Sequence, residues 1–153
     1  AVVASHLRHG HAEFAGLLKQ WNKARHENAT NKGDIFKQLT GIILQYWVAQ
    51  GENFTEAESF PAFRRRVLSV MEIHSKQTPS IGMENHSYLA VTSGGPISVL
   101  TGEVLGLDLP HTLGLMRRIY NTSLHHYTLR GDRWDLVAFN AMPHLALSDR
   151  TLV

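Results

Sequence analysis

Cysteine is absent from the chain, which excludes disulfides and thiolate chemistry. No apolar run approaches the ~20 residues needed to span a bilayer. The opening residues lack a basic stretch followed by a long apolar core, so no secretion signal is expected and a reducing, cytoplasmic setting is the simplest fit. Glycine and proline are sparse, at 12 and 5 residues, too few for a disordered or linker-rich chain. An excess of one charge is also missing. Fifteen basic residues face 13 acidic ones, leaving a formal charge of +2. That is too little to argue for nucleic acid.

What remains is a 153-residue chain, 43% hydrophobic, which suits one compact domain with a real core. The ten histidines stand out. They make the net charge rise steeply below about pH 6.5. The densest basic run, Arg64-Arg65-Arg66, reads as a solvated helix face.

Periodicity orders the elements. Val2, Val3, Ala4 and Leu7 read as a short strand ending at Arg8-His9-Gly10. Phe14, Leu17, Leu18 and Trp21 have helical spacing. A second helix is expected from a cap at Asp34 to Gly51, and a third from Ser59, with Pro61 in its first turn. Gln77 to Asn85 reads as a loop. Tyr88 to Thr92 reads as an interior parallel strand, broken by Ser93-Gly94-Gly95 and followed by a helix from Pro96. A short helix from Pro110 to Met116 precedes two closing strands, Ile119 to Leu129 and Trp134 to Asn140, joined by a hairpin turn at Arg130 to Arg133. Helices alternating with strands imply an α/β fold with a partly parallel sheet.

Two segments could carry chemistry. At Ser93-Gly94-Gly95, glycines let the backbone turn sharply into a helix N-terminus, whose unpaired N–H groups and positive macrodipole end favour anions. Neither a nucleotide P-loop nor a dinucleotide fingerprint fits the spacing. A plain tight turn is the other reading. At Arg8-His9-Gly10-His11, a histidine at a strand end could attack phosphorus as a neutral imidazole, with Arg8 as a bidentate phosphate ligand. Taken alone, these letters favour a surface turn. His6, His9 and His11 could alternatively bind a metal, since His9 and His11 share one face of a strand. His125 and His126 would point to opposite faces of theirs, with at least one exposed.

The second half resembles the histidine phosphatase, or phosphoglycerate-mutase-like, superfamily. Glu58-Ser59 with Phe63 and Arg66-Val67 resembles the family's Glu-Ser pair ahead of a crossing helix. Leu89 to Ile97 resembles the strand and turn that usually read Val-Ser-His-Gly-Gly. Asn121-Thr122-Ser123-Leu124, Trp134-Asp135-Leu136, Phe139-Asn140 and His144-Leu145 resemble the closing strands. The resemblance implies a three-layer α/β/α sandwich with a mostly parallel sheet and a phosphomonoester hydrolase or mutase. It implies a phosphohistidine intermediate at His9, Arg8 as a phosphate ligand, and phosphate binding at Ser93 and Gly94. Glu13 becomes a general acid in a rival alignment. No metal or cofactor is required, and the expected partner is a small phosphorylated substrate or phosphate, with self-association open and neither nucleic acid nor membrane.

Two departures from the family pattern matter. Ser93 stands where the family has its second histidine, and a hydroxyl cannot carry charge. Losing one such preorganised donor costs roughly 10²–10³ in rate. A branch with Thr-Ser-Gly-Gly exists, and this chain resembles it. The pattern also has a long segment after Arg-His-Gly, so either that segment is lost here or a chain break is expected near Gly16-Leu17 or elsewhere in the first twenty residues. These departures favour the alternative of a catalytically impaired binding protein. His9 and the Ser93 turn are expected side by side at neighbouring strand ends.

Overall fold

A computed structural model describes residues 2–76 and 87–152. Among these residues lie six α-helices and one two-stranded antiparallel sheet. The loop expected from Gln77 to Asn85 lies outside the described residues. The chain divides into two compact units, one up to Phe63 and one from Arg64 onward.

In the first unit, α1 (Val2–Gly10) and α2 (Ala12–His26) meet at His11, and α3 (Lys32–Ala49) packs against both. The expected opening strand is therefore a helix. Its two valines suggested β structure, but Val3 and Leu7 lie four residues apart, on one helical face. Leu7 is 2% exposed and joins Phe14, Ala24, Ile35 and Leu39 in a buried core. Full burial of a Leu or Phe side chain stabilises by about 1.5–3 kcal/mol, and that payoff selects the helix. His11 ends one helix and caps the next, its extended backbone letting Nδ1 accept from the Phe14 N–H at 3.2 Å. Gly16 and Leu17 lie inside the continuous α2, so the expected break is not there.

Helix α3 starts two residues before Asp34, which sits in its first turn and pairs with Lys37 at 3.7 Å. Gly51, at φ +56, leads into a short 3-10 turn (Gly51–Asn53). Ser59 caps α4 (Phe60–Lys76) as expected, its Oγ accepting from the Ala62 N–H at 3.3 Å. Near the unit's end, the Trp47 indole donates to the Glu58 carbonyl at 2.8 Å and meets the Phe60 ring edge-on, centroids 5.3 Å apart.

The second unit contains α5 (Gly94–Leu105), α6 (Leu109–Met116) and the hairpin β1 (Leu124–Arg130) and β2 (Arg133–Ala141). The hairpin closes through Gly131-Asp132, with Gly131 at φ +64, a conformation that glycine adopts without steric cost. The expected strand over 88–92 is absent. Residues 87–92 are irregular and exposed, Leu89 at 89% and Val91 at 96%. A strand is stable only with ladder partners, and with residues 2–10 helical the described chain supplies none to that segment. The mostly parallel sheet is thus corrected to an antiparallel hairpin among the described residues, within a mixed α/β architecture.

No helix among the described residues is long and apolar enough to cross a membrane.

Candidate functional site at the start of helix α5

The turn into α5 keeps the features that drew attention to it in the sequence. Ser93 is extended, at φ −107 and ψ 172, and occupies the cap position. Its hydroxyl makes no capping bond, so it is available to a ligand. The helix starts at Gly94, two residues earlier than expected, and Pro96 falls within the first turn, where a missing N–H costs nothing. The Gly94 and Gly95 amides are first-turn donors without an intrahelical acceptor. Together with the positive end of the helix macrodipole they suit an anion.

The seat of this turn is firm. Gly94 is buried, and a Cβ there would lie 3.6 Å from the Met116 carbonyl oxygen and 3.7 Å from Ile119 Cδ1. Ser98, fully buried, donates from Oγ to the Gly94 carbonyl at 2.7 Å. Thr101, 1% exposed, donates to the Ile97 carbonyl at 2.8 Å. With that proton committed, its oxygen accepts from the Tyr127 hydroxyl at 2.7 Å, tying α5 to β1. Burial pushes the Tyr127 phenol above its ordinary range, so it remains a donor at neutral pH. Gly102 lets α6 approach: a Cβ there would fall 2.4 Å from Thr112 Oγ1 and 2.9 Å from its Cγ2. Arg64 of α4 is ion-paired to Glu103 on α5.

Helix α6 is capped by Asp108, whose Oδ1 accepts from the His111 N–H at 2.9 Å and from its Nδ1 at 2.5 Å. The backbone N–H bond, then the imidazole bond, holds this carboxyl below its ordinary range.

The other expected site residues have a different setting. Arg8 and His9 occupy the last turn of α1 and are exposed, and Glu13 is exposed in the first turn of α2. The strand end that was to present the His9 imidazole is a helix end. The three nearby histidines also do separate work: His6 pairs with Glu56 at 3.1 Å, His11 caps α2, and His9 is solvated. The shared face on which a metal reading of His9 and His11 rested does not form. Among the described residues, no group of three or more His, Cys, Asp or Glu could hold a metal ion.

Sequence reasoning missed Ser98, Thr101 and Tyr127, which anchor the turn. The four-residue spacings from Gly94 to Ser98 and from Ile97 to Thr101 are signals for back-bonding to a helical carbonyl. Nothing in the sequence pairs Tyr127 with Thr101. His126 is exposed, as expected of at least one of the two adjacent histidines, and His125 is half-buried.

No curated protein and no solved structure matches the chain. The family model of the histidine phosphatase superfamily (branch 1) matches residues 30–142. The match takes in Glu58-Ser59, the Ser93 turn and the closing hairpin, and starts beyond Arg8, His9 and Glu13. Since that span is well over half of the sequence, the chain belongs to the histidine phosphatase superfamily, branch 1.

Proposed function

We propose that this chain acts on phosphomonoesters, as a hydrolase or a mutase, with the phosphoryl group received at the N-terminus of α5. Family membership across residues 30–142 is the observation that carries this reading. The local chemistry supports it: first-turn amides at Gly94 and Gly95, a hydroxyl at Ser93 free of capping, and a positive helix end. Preorganised donors of this kind stabilise charge that develops on phosphoryl oxygens. The match runs through both compact units, which supports reading the chain as one domain. In the proposal, His9 is the phosphorylated nucleophile and Arg8 its phosphate ligand, while Glu13 is a general acid only in the rival alignment. Those roles are carried by the resemblance of Arg8-His9-Gly10 to the family's opening motif.

The second reading is a binding protein with impaired chemistry. Two observations favour it: Ser93 replaces the second histidine of the family pattern, and Arg8-His9-Gly10 lies on an exposed helix end outside the family match. Phosphate release from a panel of sugar phosphates and phosphopeptides separates the readings. Turnover that His9→Ala abolishes is the hydrolase result. Turnover that survives His9→Ala removes His9 from the mechanism. Binding of phosphate esters without release selects the second reading.

A further inference from the structure

Three non-glycine residues among those described have positive φ: Asn28, Thr122 and Asn140. Two of them meet at one corner of the second unit, and each is held there by a histidine. Thr122, at φ +62, is β-branched, a rare occupant of the left-handed region. Its Oγ1 bonds to His144 Nε2 at 3.0 Å. Asn140, at φ +58, sits where the register of the hairpin slips, between the pairs Leu124–Ala141 and His126–Ala138. The slip takes its backbone N–H out of the regular ladder. That N–H donates instead to His125 Nδ1, at 3.3 Å.

The remaining bonds fix the protonation state of His125. Ser123 Oγ donates its one proton to the Tyr120 carbonyl at 2.7 Å. It therefore accepts from His125 Nε2, 2.9 Å away, and that nitrogen carries the hydrogen. Nδ1 accepts from a backbone N–H and must be bare. A second proton on the ring would set Nδ1–H against the Asn140 N–H. The ring is half-buried and packs edge-on against Phe139, centroids 4.8 Å apart. Arg118 and Tyr120 join this network through main-chain carbonyls, and His144 joins the corner through Thr122. None of these ionisable side chains bonds to the His125 ring, nor does the exposed His126.

The corner also holds the end of the described chain. The Asn140 side chain donates to the Arg118 carbonyl at 2.7 Å and accepts from the Tyr120 N–H at 2.9 Å. The adjoining Asn121 N–H bonds to the Thr151 carbonyl at 2.8 Å, and Tyr120 pairs with Leu152.

We infer that His125 is a proton-operated latch: neutral, it stands in for the missing ladder acceptor of Asn140, and protonated, it opens the corner and frees the segment at 151–152. Burial holds this imidazole below the ordinary histidine value of about 6.5. The sign follows. The unfolded chain takes up a proton before the folded one does, so the latch contributes fully above that ordinary value. Its contribution is lost as pH falls through the lower, folded value. The inference does not depend on the phosphatase reading.

Nitrogen-15 NMR of the wild-type protein provides the test. At neutral pH the His125 ring should show a bare Nδ1 and a protonated Nε2. On acidification, the Asn140 amide should lose its protection from exchange together with the His125 titration, at a midpoint below about 6.5. His125→Asn places an amide oxygen at the position of Nδ1, an acceptor that does not titrate in this range, and it should keep Asn140 protected through the same acidification. An Nδ1–H tautomer at neutral pH overturns the proposal, and that measurement needs no variant. So does a His125 titration to which the Asn140 amide is indifferent, or the same acid response in His125→Asn.

Discussion

Tyr88 to Thr92 and Leu124 to Arg130 have similar strand-like composition and different outcomes. The later segment is half of a hairpin, and the earlier one is irregular and exposed. The difference lies in where each finds its partner. Leu124 to Arg130 meets Arg133 to Ala141 across a two-residue loop, so closing the ladder costs little chain entropy. A parallel strand at 88–92 would need neighbours brought from far along the chain, and the described residues offer none. Apolar composition nominates a strand, and a paired backbone makes it one.

Four substitutions would break or sharpen this comparison. The largest effect belongs to Gly102→Ala. α5 stands on its packing against α6 and not on the segment ahead of it, and a methyl group would collide with Thr112. Denaturant unfolding should show a loss of about 1–3 kcal/mol. A neutral result would mean that the two helices are not in close contact in solution. Next comes Tyr127→Phe, which removes the tie between β1 and Thr101. A loss of about 1 kcal/mol is expected by the same measurement. An unchanged midpoint would leave β1 stable through its pairing with β2 alone. The smallest effect is Val91→Lys, with Leu89→Lys as a companion. Both positions are solvated, so each should shift stability by no more than about 0.5 kcal/mol. A loss of several kcal/mol would show that 88–92 is buried in solution and would restore the strand read from the sequence.

The same distinction explains what was legible in the sequence. Helices with strong local signals were readable: the Phe14 to Trp21 spacing, the cap at Ser59, the Pro110 to Met116 stretch and the glycine turn at Arg130 to Arg133 all depend on neighbouring residues. The family was legible too: the segments from Glu58 to Leu145 resemble its motifs, and the family model matches residues 30–142. What failed depended on distant partners. Val2 and Val3 suggested a strand, yet burial of Leu7 against the helices beyond it decided for α1. The strand-end setting for Arg8 and His9 fell with that strand. The His125–Asn140 bond was invisible because it exists only at a slip in the hairpin register. At Ser93 the local geometry, a turn into a helix N-terminus, was legible for reasons that hold within a few residues.

The proposed function requires that this N-terminus receive a phosphoryl group, whether for turnover or for binding. An amide-resolved NMR titration with inorganic phosphate tests it most directly, with Ser93→Ala and chloride at equal ionic strength as controls. Saturable shifts are expected at the Gly94 and Gly95 amides, absent with chloride and weakened by Ser93→Ala. Gly94 and Gly95 signals that ignore phosphate, or that respond equally to chloride, would contradict it.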